Sequence, residues 1–480
     1  MSHHLPFFRF ILRLIIMTKT ETRYVCQSCG RVSVKPLGRC PQCGEWDSMV
    51  EEVVQPSGGG KKRSAAGITT SRVLRLDEIS GESAERWKMD NEEFSRVLGG
   101  GIVPGSIVLV GGDPGIGKST LLLQTAIEFA QKGNVLYVSG EESGQQIKMR
   151  AQRLQAKGNY GKTTTFPPNL YLLMETDLDS ILTHAQNVKP QLLIVDSIQT
   201  MTMEVFNSSA GSVTQVRECA SRLREFAKSS ATTVFLIGHV TKEGMLAGPR
   251  VLEHIVDTVL QLEGDRFQSY RILRSMKNRF GPTSEVGVFE MREAGMVEVS
   301  NPSEVFLAER MENTPGSAVA VTMEGTRPLL IEIQGLTSTT NFGNPRRTSN
   351  GVDFNRLLLV VAVLTRRNHL KLFDQDVFVN VVGGFNVDEP AADLAIATAI
   401  ASSLLDKAVH PEMVLIGEVG LSGELRWVSN MVARLREAEK MGFTKAIIPQ
   451  RLRKSEKLPT GIELIENRSL TDAVKSALNQ

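Results

Sequence analysis

One glycine-rich segment carries the most specific chemical signal in the chain. It follows a short apolar run at 106–110, has the spacing G-x-x-x-x-G-K-[ST], and precedes an amphipathic run that ends at Gly133. Glycines at this spacing let backbone N–H groups close around phosphates, while the lysine reaches the outer phosphates and the hydroxyl binds Mg²⁺. The sequence therefore predicts an ATP and Mg²⁺ site made by Gly112, Asp113, Pro114, Gly115, Ile116, Gly117, Lys118, Ser119 and Thr120.

Two further apolar runs are predicted to be strands that deliver acids to this site. Residues 192–195 lead directly into Asp196, which we expect to hold the metal ion. Residues 134–139 lead into Glu141 and Glu142. Because ligands bind at the carboxyl ends of strands in an open parallel sheet, Glu141 is the candidate general base. Glu142 is the alternative general base. In a purely structural interpretation, the two acids only begin a helix, where the helix dipole stabilises negative charge.

A fourth predicted strand, at 232–238, places His239 at the same edge of the sheet. A histidine there could sense the terminal phosphate, and it could equally be a hydrogen-bonded core residue. The alternation of such strands with helical patterns predicts an α/β fold with a central sheet.

Four cysteines near the N-terminus form two knuckles, Cys26-x-x-Cys29 and Cys40-x-x-Cys43. Each knuckle aims two thiolates at one point, and two pairs complete a tetrahedral shell of four sulfurs around Zn²⁺. Such a shell leaves no open position for catalysis, so the predicted zinc site is structural. Cys219 stands alone in a helical pattern and is expected to be a small core residue.

Length and composition set the limits of these predictions. The chain has 480 residues, 41% of them hydrophobic, and a net charge of +2. This composition argues against wholesale disorder, and the length excludes a single small domain. The small net charge gives no strong field for nucleic acid or membrane, so any polyanion site must be local.

The first residues are not expected to anchor the chain in a membrane. Residues 5–16 are apolar, but Arg9 and Arg13 interrupt this run, which is too short to span a bilayer. Met17 is the alternative start codon to Met1, and clustered cysteines outside a disulfide scaffold indicate a reducing, cytoplasmic location.

We predict five segments along the chain. A non-structural extension (1–23) precedes a four-cysteine zinc finger (24–50) and a Gly/Ser-rich basic linker (51–75). A P-loop ATPase domain (76–300) and a second α/β domain (301–480) follow. The fold class is thus α/β multidomain, with an N-terminal zinc ribbon.

The order of P-loop, acidic strand end, Asp-terminated strand and later His-terminated strand resembles the RecA-like ATPase family. The sequence KNRFG at 277–281, together with the four-cysteine module, is similar to a group of bacterial DNA-repair proteins in that family. The resemblance implies a homohexameric ring in which Lys277 and Arg279 reach the phosphates of the neighbouring subunit. It also implies a DNA-dependent ATPase that promotes branch migration of strand-exchange intermediates together with the RecA recombinase.

In rings of this family, two loops face a central channel that holds DNA. Here these loops correspond to 201–212 and 241–250. Lys242 and Arg250 are the candidates for phosphate contacts with single-stranded or branched DNA, which would position DNA without reading its sequence. The alternative is a loop whose charges are ion-paired, because Glu243 lies next to Lys242.

The C-terminal part resembles the proteolytic domain of Lon, with departures at the catalytic positions. Ala391 stands at the nucleophile position and Val432 at the position of the catalytic lysine. Without a hydroxyl and a base, a Ser-Lys dyad cannot form, so we expect no peptidase activity. The alternative functions are an ATP-switched DNA-binding adaptor without motor activity and, against these residues, a Lon-like ATP-dependent protease.

Overall fold

The computed structural model describes residues 21–26, 31–42, 44–46, 48–54, 75, 85–157, 165–206, 208–238, 249–264, 269–340, 343–383, 386–451 and 457–478. Four predicted functional residues lie outside these ranges, namely Cys29, Cys43, His239 and Lys242. Within the described ranges, every helix is too short or too polar to cross a membrane.

A three-stranded antiparallel sheet forms the N-terminal module. Its strands are β1 (Glu21–Cys26), β2 (Val32–Ser33) and β3 (Met49–Val54), in the order β2-β1-β3. Glu21 pairs with Val54 and Cys26 with Met49. The pairing of residues 21–23 with residues 52–54 extends this sheet beyond the predicted module of 24–50 at both ends.

A nine-stranded sheet forms the core of the second domain, in the order β12-β11-β10-β9-β4-β8-β7-β5-β6. The strands from β9 to β6 in this order are parallel, and β10, β11 and β12 extend the sheet antiparallel. The strands are β4 (Ile107–Gly112), β5 (Val135–Ser139), β6 (Leu170–Met174), β7 (Leu192–Asp196), β8 (Thr233–Ile237), β9 (Thr258–Glu263), β10 (Tyr270–Asn278), β11 (Val286–Arg292) and β12 (Gly295–Glu298).

Helices cover this sheet, and two clusters of buried apolar side chains form its core. The central strands β4, β5, β7 and β8 are buried along their whole length, as expected for parallel strands covered on both faces. The helices are α1 (Glu92–Val97), α2 (Lys118–Phe129), α3 (Gly144–Lys157), α4 (Leu178–Val188), α5 (Val213–Ser230) and α6 (Pro249–Ile255).

A seven-stranded mixed sheet, ordered β15-β16-β14-β13-β17-β20-β21, forms the C-terminal domain, with a small β18-β19 hairpin beside it. Its strands are β13 (Ser317–Glu324), β14 (Arg327–Thr339), β15 (Arg347–Asn350), β16 (Gln375–Val381), β17 (Met413–Leu415), β18 (Glu418–Val419), β19 (Leu425–Arg426), β20 (Lys445–Pro449) and β21 (Glu463–Asn467). Its helices are α7 (Pro302–Leu307), α8 (Phe354–Arg367), α9 (Asp393–Leu405), α10 (Met431–Lys440) and α11 (Leu470–Leu478).

The apolar segment 413–419 forms two strands, β17 and β18, and not one continuous strand. Strand β17 ends at Leu415, the Gly417 N–H donates to the carbonyl oxygen of Ala391 at 2.9 Å, and β18 begins at Glu418. The apolar run alone could not show this change of partner.

The turn between β13 and β14 joins the C-terminal domain to the ATPase domain. Arg327 pairs with the buried carboxylate of Glu93 on α1 at 2.6 Å. Arg274 on β10 pairs with Glu263 at 2.8 Å and also with Glu324 of the C-terminal domain. Strand β10 also carries Lys277, which is predicted to reach the phosphates of the neighbouring subunit. The contacts between the two domains therefore stabilise the strand on which Lys277 lies.

Candidate nucleotide site

The P-loop leaves β4 and enters α2 through a backbone that requires glycine. Gly117 has φ +118°, and a Cβ there would lie 2.4 Å from Cε of Met291. Gly112 has φ +150°, and a Cβ there would lie 2.5 Å from the carbonyl oxygen of Leu262. Backbone at these φ values is strained for other residues. The loop is thus shaped by its glycines and by the strands that pack behind it.

The Lys118 side chain is buried inside this loop. Its Nζ donates to the carbonyl oxygens of Gly112 and Asp113 at 2.7 and 2.9 Å, and the residue is 4% exposed. Burial lowers the Lys118 pKa to about 8, and the carboxylates of Asp196, Asp113 and Glu141 oppose that shift. The ammonium is therefore fixed where the loop would receive phosphate oxygens.

Asp196 lies at the end of β7 and accepts two side-chain hydrogen bonds. The Tyr137 hydroxyl donates to its Oδ2 at 2.6 Å, and the Ser119 hydroxyl donates as well. Burial raises the Asp196 pKa, and both hydrogen bonds counteract this effect. A carboxylate next to a hydroxyl presents the hard oxygen ligands that Mg²⁺ takes. These two residues therefore fit the metal that the P-loop implies.

The two acids after β5 have different partners. Glu141 accepts a hydrogen bond at 2.6 Å from the hydroxyl of Ser197, the residue that follows Asp196. Glu142 instead forms an ion pair with Arg150 on α3. Ser139 at the end of β5 pairs directly with Asp196 in the sheet, which brings the acidic turn to the metal-binding end of β7. Glu141 thus has the closer link to that end.

Sequence reasoning missed two residues that shape this site, Tyr137 and Ser197. Tyr137 lies in the buried strand β5, where its hydroxyl is the polar tip of an otherwise apolar run. A buried tyrosine hydroxyl generally needs a partner, so this polar tip was a usable signal. Ser197 is fully buried, and only its position after Asp196 could have pointed to it.

Lys277 and Arg279 each have partners within the chain. Lys277 Nζ donates to the carbonyl oxygen of Glu253, which lies within α6, and to that of Val256, which directly follows α6, at 2.9 Å. Arg279 Nη1 lies 3.2 Å from Oδ1 of the buried Asp257. The Arg279 side chain is 52% exposed, so it keeps contact with solvent while Asp257 anchors it.

The two predicted DNA-contacting residues are placed only in part. Arg250 is the second residue of α6, the helix whose carboxyl end binds Lys277. Lys242 lies outside the described residues.

Of the four predicted zinc ligands, Cys26 and Cys40 are described and both are buried. The Cys26 N–H donates to the carbonyl oxygen of Arg31 at 2.9 Å, and the Cys40 N–H to that of Glu45 at 2.8 Å. Each of these bonds links the backbone of a cysteine to the residue five positions later. Two buried cysteines at equivalent positions of the two knuckles fit a sulfur-ligated metal ion.

An ion pair lies beside Ala391, the position predicted to correspond to the Lon nucleophile. Ala391 is fully buried, and Val432 begins the same α10 turn that presents Arg434. The Arg434 side chain is fully buried, pairs with Glu389 and donates to the carbonyl oxygen of Val321 at 2.6 Å. Arg434 thus connects α10 with Glu389 and with strand β13.

Three segments match known families. Residues 24–51 match the rubredoxin metal binding domain, residues 77–245 match the AAA domain family, and residues 358–451 match subunit ChlI of Mg-chelatase. These matches confirm the predicted fold class of zinc ribbon, RecA-like ATPase core and C-terminal Lon-like domain. The AAA match includes Lys118, Glu141 and Asp196, and it supports ATP hydrolysis.

Whole-chain comparisons give closer relatives. The chain is 49% identical over 463 residues to DNA repair protein RadA of Streptococcus pyogenes serotype M6, covering 96% of this chain and 100% of that protein. It is 48% identical to DNA repair protein RadA of Bacillus subtilis, with the same coverage. The KaiC-like protein PH0186 of Pyrococcus horikoshii OT3 is a solved structure with 19% identity and a TM-score of 0.36, covering 45% of this chain and 99% of that chain. Because it is 49% and 48% identical to these two RadA proteins over 96% of its length, the chain belongs to the RadA family of DNA repair proteins.

Proposed function

We propose that this chain is a DNA-dependent ATPase that works as a motor in recombinational repair and promotes branch migration of strand-exchange intermediates alongside RecA. The observation that carries the proposal is the convergence of Lys118, Ser119, Asp196 and Glu141 at one edge of the sheet. This edge holds the groups that phosphoryl transfer needs. The RadA name of the relatives supports the connection to repair.

In this proposal each side chain has one task. The P-loop N–H groups and Lys118 bind the outer phosphates of ATP, and Ser119 and Asp196 hold Mg²⁺. The metal neutralises charge on the phosphate oxygens when it is bound. Glu141 orients the attacking water and accepts its proton, while the Ser197 hydroxyl fixes one carboxylate oxygen at 2.6 Å.

Hydrolysis is proposed to depend on assembly into a homohexamer. Lys277 and Arg279 would then reach the ATP of the adjacent subunit, where cations stabilise the charge that spreads over the transferred phosphoryl group. The Arg279 side chain supports this role because it is 52% exposed although its Nη1 pairs with Asp257.

DNA is proposed to bind through Lys242 and Arg250. Contacts to phosphates from these residues would hold single-stranded or branched DNA without sequence preference. Arg250 lies on α6, and Lys277 donates to a carbonyl oxygen at the carboxyl end of α6. One short helix thus connects the proposed DNA contact of Arg250 with the proposed role of Lys277 at the neighbouring subunit.

A branch-migration assay tests the motor proposal. RecA-generated three-strand intermediates should be extended by the wild-type protein with ATP, and not with a non-hydrolysable analogue, because a motor needs hydrolysis at each step. Equal extension with both nucleotides would instead identify an ATP-switched adaptor. Casein incubated with the same protein and ATP reports on proteolysis, and peptide release would contradict the loss of the Lon dyad.

The proposed zinc site gives a separate prediction. Cys26→Ala should lose one zinc ion per chain and destabilise the N-terminal module, because structural Zn²⁺ contributes on the order of 10 kcal/mol in small modules. Metal analysis of protein purified under reducing conditions measures this. Cys219→Ala is the matched control, since Cys219 is also buried but lies in the core of the ATPase domain. Equal zinc content in both variants would contradict the site.

A further inference from the structure

The turn that carries Arg279 lies at the end of the sheet opposite the P-loop. Strand β10 ends at Asn278, which pairs with Thr258 at the start of β9. Thr258 also pairs with Val108 near the start of β4, whereas the P-loop begins at the other end of β4, at Gly112. At about 3.3 Å per residue, β4 separates these two ends by on the order of 13 Å. Arg279 is therefore remote from the nucleotide site of its own chain, as a cation that acts on a neighbouring subunit would be.

A side chain far from this turn in the sequence binds its backbone. The Arg86 guanidinium donates through Nη2 to the carbonyl oxygen of Phe280 and through Nη1 to that of Gly99. Phe280 directly follows Arg279, and Gly99 lies in the glycine-rich turn after α1. The planar guanidinium presents several N–H donors in a fixed fork, so it can bind two acceptors at once. One side chain thus joins two backbone turns.

The two turns that Arg86 joins are also packed closely against each other. A Cβ at Gly281 would lie 3.1 Å from Cα of Gly99, and a Cβ at Gly99 would lie 2.9 Å from Nη1 of Arg86. Within the second turn, the Phe280 N–H donates to Oδ1 of Asn278 at 2.9 Å. The backbone that follows Arg279 is therefore held both by close packing and by hydrogen bonds.

The backbone next to Arg86 is fixed to the core of the ATPase domain. The Trp87 N–H donates to the carbonyl oxygen of Ile102 at 2.8 Å, and the Ile102 N–H donates back to that of Trp87 at 3.1 Å. The Trp87 ring packs against the ring of Phe129 on α2, with centroids 6.1 Å apart. Arg86 therefore reaches the 279–281 turn from a rigid base.

We infer that Arg86 is a positioning residue, which holds the 279–281 turn so that the Arg279 side chain reaches the ATP of the neighbouring subunit. The inference rests on the proposed function, because it requires Arg279 to act in trans. Asp257 holds Arg279 from the side of β9, and Arg86 holds the residue that follows it. A long, half-exposed side chain has many rotamers, so the place of its guanidinium depends on a fixed backbone.

The test measures ATP hydrolysis by full-length Arg86→Ala, Arg279→Ala and the double variant. Arg279→Ala should lower kcat by about 10²- to 10³-fold, the effect of removing one donor to developing charge. Arg86→Ala should lower kcat at least about tenfold, because a misplacement of 1 Å costs up to about 10²-fold. Binding of a fluorescent ATP analogue should weaken less than kcat falls, since the P-loop is unchanged. Arg153→Ala, which removes an exposed arginine on α3, is the matched control and should match the wild type.

The double variant distinguishes positioning from a role in the fold alone. In the Arg279→Ala background, Arg86→Ala should change kcat by less than about twofold, because the side chain that it positions is gone. An equal loss of kcat with and without Arg279 would overturn the inference. Arg86→Lys keeps the charge but presents one nitrogen instead of two, so its kcat should lie between those of the wild type and Arg86→Ala. This variant decides the question if the alanine variant folds poorly.

Failure of the inference and failure of the proposed function give different results. Wild-type kcat in Arg86→Ala, together with a defective Arg279→Ala, would overturn the inference alone. Wild-type kcat in Arg279→Ala would instead overturn the action in trans that the proposed function assigns to Arg279, and the inference with it.

Discussion

Lys118→Ala is expected to lower the turnover of ATP hydrolysis by about 10²- to 10³-fold, the usual effect of removing one preorganised donor to developing charge. The Lys118 ammonium is buried and held by two loop carbonyls, so its position is set before ATP binds. Phosphate release by purified protein with Mg²⁺ and DNA measures the effect. Wild-type turnover in this variant would refute the assignment of the site.

The same variant should not be less stable through loss of this charge. Burial lowers the Lys118 pKa from 10.5 to about 8, so between these pH values the unfolded chain binds more protons than the folded chain. Stability from this group therefore rises as pH increases from 8 towards 10.5, and it is lowest when the lysine is charged. A melting temperature of Lys118→Ala at or above that of the wild type at pH 7 would separate a catalytic defect from misfolding. Lys148→Ala, which removes an exposed lysine on α3, is the matched control.

The parts of the site that a short local pattern encodes could be predicted from the sequence. The P-loop needs glycines at fixed positions for its backbone, and strands β5 and β7 are apolar runs that end next to acids. In both cases the chemistry and the secondary structure lie within a few residues of each other. The fold class followed from the alternation of these patterns.

Contacts between residues distant in sequence could not be predicted in this way. Tyr137 and Asp196 are 59 residues apart, and they meet because β5 and β7 are neighbours in the sheet. In the sheet, β5 lies between β7 and β6. Nothing in the sequence indicates that β6 pairs with one edge of β5 while β7 pairs with the other. The same holds for the anchoring of Arg279 by Asp257, which needs β9 and β10 to pair.

The choice between the two acids after β5 is a case where structure adds what the pattern left open. In the sequence, Glu141 and Glu142 are equivalent neighbours. In the fold, Glu142 is bound to Arg150, whereas Glu141 is bound to a neutral hydroxyl next to Asp196. The ion pair ties the Glu142 side chain to α3, whereas the Glu141 side chain is tied to the residue that follows Asp196. Glu141 is therefore the better candidate for the general base by its location.

Glu141→Gln is accordingly expected to lower turnover by about 10²- to 10⁴-fold, the range for loss of a general base. The glutamine amide can still accept from Ser197, so ATP binding should stay close to that of the wild type. Glu142→Gln is the matched variant, one residue away and identical in chemistry, and it should lower turnover by much less because only the ion pair with Arg150 is weakened. Steady-state hydrolysis and binding of a fluorescent ATP analogue measure both effects. If Glu142→Gln were the more damaging change, the roles of the two acids would have to be exchanged, and the hydrogen bond between Ser197 and Glu141 would serve only to shape the turn.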